Sequence, residues 1–143
     1  MAFTFANRGL YTLLNSAISG STDLRQAVFT GSAPSAATIR DWNVLSDVTG
    51  AATEAAASGY SRADLASVTL TEDDSGDQVT LTAAAPTYSS IATGETWTFV
   101  AYYVYNASDS SAALIGIDAP ASSQVTNGGD ITGPALSVTV AQA

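Results

Sequence analysis

The chain has 143 residues and a net charge of −9, from 13 acidic side chains against four Arg, with no Lys, His or Cys. Without an imidazole or thiol there is no Ser-His-Asp or Cys-His nucleophile; without Lys there is no Schiff base or phosphate-loop lysine; and zinc loses its commonest ligands. We therefore expect no catalytic residue, no cofactor and no metal. Arg8, Arg25, Arg40 and Arg62 are scattered, so no cationic cluster is expected to serve nucleic acid or an anionic membrane.

Ala, Ser and Thr number 27, 18 and 18. The hydroxyl residues are interleaved with Val, Leu, Tyr and Trp at strand period, and only 12% of residues are charged, which argues for a folded chain over low-complexity disorder. The length suits one domain, 1–143, able to bury about two thirds of its unfolded surface. The fold class expected is mainly β, an antiparallel β-sandwich of immunoglobulin-like or jelly-roll-like kind with one short N-terminal helix.

In chain order, Phe3 and Phe5 alternate with Thr4 in a strand-like arm over 1–6, expected to add to a sheet of its own molecule, the alternative being to reach a neighbour. Asn7 is placed to cap a helix whose Leu10, Leu13, Leu14, Ala17 and Ile18 fall on one face, stopping at Gly20. The start of the chain carries no basic leader and no A-x-A pattern, so synthesis without secretion is expected; no run nears the 18 or so apolar residues of a membrane span. Leu24–Thr30 reads as a strand, with Leu24, Gln26 and Val28 on one face and Arg25, Ala27 and Phe29 on the other. Residues 31–59 are an irregular stretch, in which Trp42, Val44, Leu45 and Val48 suggest a helical turn or an excursion packed on the sheet, and 51–57 a short helix or loop.

A hairpin follows, with Val68 and Leu70 facing Val79 and Leu81 across a turn at Asp73, Asp74, Ser75 and Gly76. Thr69, Thr71, Thr80 and Thr82 take its opposite face. Thr96–Tyr105 is apolar on both sides, as a central strand covered on both faces must be. Ala113–Ile117 is expected to pair with it, and Leu136, Val138 and Val140 form a closing strand after a turn at Asn127–Asp130. Six or seven strands are expected.

Carboxylates are the only acid-base groups left. Glu72, Asp73, Asp74 and Asp77 belong to the hairpin turn, where Asp serves local hydrogen bonding, and their spacing does not meet that of a calcium loop. Glu54 and Glu95 are isolated in sequence. Trp97, Phe99, Tyr102, Tyr103 and Tyr105 could stack on sugars, but a strand apolar on both faces belongs in a core. Each Arg is expected to form an internal ion pair, the alternative being a partner's acidic surface.

The segments GLYTLLNSAI, LRQAVFTGSA, DWNVLSDVT, GYSRADLASVTLT, TWTFVAYYVYNASDSSAALIGIDA and NGGDITGPALSVTV, in that order, together resemble a group of small tailed-bacteriophage virion proteins over residues 8–140. The resemblance implies a capsid decoration, or cement, protein on the capsid exterior. It would be made in the host cytoplasm and would bind the major capsid protein and its lattice neighbours, with a homo-oligomer as a further option. Phe3, Phe5, Arg8, Arg40 and Trp42 are the partner-contact candidates, together with the C-terminal strand edge. The alternative is a tail-fibre or baseplate module that binds a glycan or receptor.

Overall fold

Strands form readily where β-branched residues and Leu alternate with hydroxyls, as in Thr69–Asp73, Gln78–Ala83 and Leu136–Ala141. The computed structural model describes residues 23–141; the arm at 1–6 and the helix expected over 7–20 lie outside the described residues. In chain order the elements are β1 (Leu24–Thr30), α1 (Ala36–Asp41), α2 (Leu45–Ala51), β2 (Thr53–Glu54), β3 (Ala63–Asp64), β4 (Thr69–Asp73) and β5 (Gln78–Ala83). They continue with β6 (Thr87–Tyr88), β7 (Thr96–Val104), β8 (Ala113–Asp118), β9 (Gln124–Val125), β10 (Ile131–Thr132) and β11 (Leu136–Ala141). The strand count exceeds the expectation because five of these are two-residue pairings that sequence period cannot register.

The protein is an antiparallel β-sandwich. One sheet runs β2-β1-β7-β8, with β3 also on β1 and β9 also on β7; a second runs β11-β5-β4; a two-stranded β10-β6 ribbon completes it. β7 is central, paired with β1 along its length and with β8 and β9 on its other side. Its side chains therefore divide between two cores. Leu24, Val28, Val100 and Tyr102 face the second sheet and pack with Leu81, Ala83 and Leu136, while Tyr88 and Ile131 of the ribbon join the same cluster. Ala27, Phe29, Phe99, Ala101 and Tyr103 face the other way and are covered by Leu45 and Val48 of α2 and by Ala112. Helix, sheet and sheet thus form three layers.

A bulge sets which layer receives Trp97. Phe29 pairs with Phe99 but Thr30 pairs with Trp97, so Thr98 is an extra residue, and its hydroxyl donates to the Phe29 carbonyl at 3.2 Å. Strict alternation would put Trp97 on the Phe99 face; the inserted residue turns it to the opposite core. There it meets Tyr88 and Tyr60 edge-on, at 5.2 and 5.7 Å between ring centroids.

The excursion after β1 forms two short helices, of which α2 packs on the sheet through Leu45 and Val48 while α1 buries no residue. Ser35 caps α1 by accepting from the Thr38 N–H. At α2 the Asp47 carboxylate accepts from the N–H groups of Asn43 and Val44 at 2.8 and 3.1 Å. The Ala-rich 51–57 stretch is not a helix: α2 ends at Ala51, and Thr53–Glu54 pairs with β1. The central strand stops at Val104, one residue short of expectation, and the Tyr105 N–H donates to Asp23.

In the hairpin, Leu70 opposes Leu81 as expected, but Val79 opposes Glu72 and Val68 lies before the strand. Ser67 holds a φ of 55° there. That left-handed bend starts the pairing at Thr69 and leaves Val68 exposed.

Candidate functional site

The chemistry-bearing residues gather along the outer edge of β1, where the chain has split its pairing. β2 takes Phe29 and Thr30, β3 takes Arg25 and Gln26, and the gap at Val28 is filled by a side chain. The Val28 N–H donates to the Tyr60 hydroxyl at 2.9 Å, and that hydroxyl donates to Glu54 Oε1 at 3.0 Å. Arg62 then grips Glu54 with Nε and Nη2, both at 2.7 Å, and grips Asp109 with Nη1 at 2.6 Å and Nη2 at 2.9 Å. Two bidentate pairs on one guanidinium use the geometry that Arg has and Lys lacks. Bonding to Glu54 and Asp109 pushes the Arg62 pKa further up, and the Arg62 hydrogen bond holds the Asp109 carboxyl below its ordinary range. Burial pushes the Tyr60 hydroxyl far above its ordinary value.

The clamp seats the helix layer. Asp109 lies in the loop before β8, and its carbonyl accepts from Ser46 N–H at 3.0 Å, while Ala112 accepts from Leu45 N–H at 2.9 Å. Arg62 thereby connects β2 to the loop that receives the first turn of α2. Because the folded Asp109 pKa lies below its unfolded value near 3.8, the folded state binds fewer protons in that range and its stability falls as pH drops through and below 3.8. Asp109→Asn is expected to flatten that part of the stability profile and to lower stability at neutral pH, as read by urea unfolding from pH 3 to 7.

A second polar network lies inside the sandwich. Gln26 is fully buried; its amide donates to the Pro134 carbonyl at 2.9 Å and its Oε1 accepts from Tyr88 at 2.8 Å. The Tyr102 hydroxyl donates to the same carbonyl at 3.0 Å, and burial pushes its pKa up to about 12. These bonds fasten the 133–134 segment to the central sheet. Tyr103 differs: its hydroxyl is buried beside Arg62 without an aligned partner among the described residues. Burial raises its pKa and the guanidinium opposes that rise. Tyr103→Phe is expected to change stability by less than about 0.5 kcal/mol, because an apolar edge there leaves no bond broken; a loss above 1.5 kcal/mol on urea unfolding would show that the hydroxyl has a partner.

The remaining candidates fall as follows. Arg25 Nε lies 2.8 Å from Asp64 Oδ1 without hydrogen-bond alignment, and its guanidinium sits 3.9 Å from the centre of the Tyr105 ring. Arg40 is exposed in the last turn of α1 and has no ion pair among the described residues. Trp42, two residues on, is half-buried against the Phe29–Phe99 core. Phe3, Phe5 and Arg8 lie outside the described residues.

Glu54 and Glu95 are committed separately, the latter accepting from the Trp97 indole at 3.0 Å and the Ala56 N–H at 2.9 Å. Asp73 accepts from the Ser75 hydroxyl at 2.7 Å and from the Ser75 and Gly76 N–H groups, the local turn role expected of it. Among the described residues no acidic cluster could hold a metal ion, and no helix is long and apolar enough to cross a membrane. Of the aromatics on the central strand, Trp97, Phe99, Tyr102 and Tyr103 are core residues, each at most 5% exposed.

The outward face of β4-β5-β11 is of another kind. Paired rows place Thr69, Thr82 and Ser137 abreast, then Thr71, Thr80 and Thr139, then Asp73, Gln78 and Ala141. Thr69 and Thr82 are hydrogen-bonded at 2.6 Å, and Thr80 and Thr139 at 3.0 Å. Two of the three rows are hydroxyl-only and uncharged. The Arg62–Asp109 and Gln26–Tyr88 partnerships were not legible in the sequence, because 47 and 62 residues separate them and they meet only in space.

No family model, no curated protein and no solved structure matches the chain.

Proposed function

We propose that the protein is a non-enzymatic structural component of the capsid-decoration type, which binds the outer lattice of a tailed-phage head and braces neighbouring major capsid subunits. The observation that carries this reading is the hydroxyl face of β4-β5-β11, a three-stranded surface with uncharged rows. Such a face suits flush contact with another protein, whereas substrate capture calls for a concavity with convergent polar groups. The Arg25 and Arg62 guanidiniums are engaged within the molecule, and the negative charge keeps the protein clear of packaged nucleic acid. On a lattice, modest contacts repeated over many copies add up.

The glycan-binding alternative needs exposed aromatic planes. Among the described residues, a groove of about 590 Å³ is lined by Ser61, Arg62, Asp64, Thr87 and Ser89 with small residues, and its single aromatic, Tyr88, is 4% exposed. The test is to mix the protein with capsids that lack it and image them by cryo-electron microscopy. Symmetry-related occupancy over the shell, lost on Thr80→Arg, is the expected result; bare shells with density at the tail would move the protein to the alternative class.

A further inference from the structure

The second sheet has two edges, and they are built differently. β4 is blunted: it carries Glu72 and Asp73, and the left-handed Ser67 bends the chain just before it. Charges and bends of this kind are what keep an edge from pairing with another molecule. β11 has none of them. Its sequence LSVTVA contains no charge, no proline and no glycine, and it keeps unbroken register with β5 over six residues. Among the described residues nothing pairs with its other side.

The side chains of β11 are also half-finished. Leu136 is buried, but Val138 and Val140, on the same inward face, remain 37% and 39% exposed. On the outward face Ser137 and Thr139 end the hydroxyl rows.

We propose that β11 pairs with β11 of a second copy, antiparallel about a two-fold axis at Thr139, making one six-stranded sheet from two three-stranded ones. The strand is complementary to itself in this arrangement. A two-fold centred on Thr139 sets Val138 opposite Val140 of the other copy and Ser137 opposite Ala141, so inward residues meet inward residues and both faces continue across the junction. Each half-exposed valine gains its cover from the other. An axis midway between two residues would instead set valine against hydroxyl and turn one valine to water.

Charge selects the same strand and direction. Two chains of −9 repel, so contact is favoured where neither carries charge, and antiparallel pairing sends the two acidic hairpin tips, Asp73 to Asp77, to opposite ends of the joint sheet. A six-residue edge is a small interface, so association depends on concentration. The contact is isologous and closes after two copies. It does not rest on the capsid reading, and its test contains no capsid.

The absence of cysteine gives a clean background for that test. Sedimentation of the unaltered protein up to about 1 mM is expected to show a monomer–dimer equilibrium. Single-cysteine Thr139→Cys is expected to be captured as a covalent dimer by a short thiol-to-thiol crosslinker at least tenfold faster than Thr71→Cys, which sits on β4 of the same outward face. The pair Ser137→Lys and Thr139→Lys, both exposed, is expected to leave the circular dichroism spectrum unchanged and the protein monomeric. A monomer throughout the concentration range, equal crosslinking at both cysteines, or a dimer that persists in a folded double-lysine variant would each overturn the proposal.

Discussion

Arg62→Met is expected to cost about 2–3 kcal/mol of folding stability. Removing one partner of a buried ion pair costs about 3–5 kcal/mol, because the remaining charge is left desolvated. Here two carboxylates would be left facing each other, but the three side chains keep 23–34% of their exposure, and water offsets part of the penalty. Urea unfolding of the variant and of Glu54→Gln, Asp109→Asn and Arg62→Met combined separates the two contributions. If the clamp acts as described, the triple variant is more stable than Arg62→Met alone, since it carries no uncompensated charge. Equal stabilities would mean that the clamp contributes only by packing.

Phe99→Ala is expected to be costlier, at about 3–5 kcal/mol. Phe99 and Phe29 stack at 5.1 Å with their planes 6° apart, and neither is more than 1% exposed. Leu45 and Val48 close over them from α2. A helix of seven residues has little stability of its own, so the void would be felt first as loss of the helix layer. With total stabilities of about 5–15 kcal/mol for domains of this kind, the variant is expected to be partly unfolded at 37 °C. Hydrogen exchange would show the N–H groups of Leu45–Ala51 losing protection before those of β5. A midpoint in urea within 0.3 M of the unaltered protein would contradict this account of the core.

The strands that alternate, and the one that does not, were readable from sequence for the same reason. In Leu136–Val140 the period of two follows a core on one side; in Thr96–Val104 apolar residues on both parities announce cover on both faces, and Leu24–Thr30 divides its two sets of residues between the same two cores. Gln26 shows the limit. Its parity put it on the inward face correctly, but nothing local says that a buried amide finds Tyr88 and the Pro134 carbonyl, which are 62 and 108 residues away. The clamp was hidden likewise: Arg62 and Asp109 are 47 residues apart, and a charge pattern reveals a pair only at helical or cross-strand spacing. Two-residue strands such as β2 and β3 leave no period to detect. The hairpin differed at its start because the left-handed Ser67 leaves Val68 before the strand. Of the contact candidates, Arg40 and Trp42 fall on the outer layer; the threonine face of the hairpin was legible, and β11 beside β5 widens it with Ser137 and Thr139.

The bulge at Thr98 has an optical consequence. The chain has two tryptophans, and the extra residue sends Trp97 into the space between the sheets, while Trp42 stays half-buried over the helix layer. Each of the two cores therefore carries one intrinsic fluorophore, the inner one shielded from a dissolved quencher and the outer one, half-buried, more accessible to it. Emission recorded with and without iodide during unfolding would time the loss of the two cores separately, without any label attached to the protein.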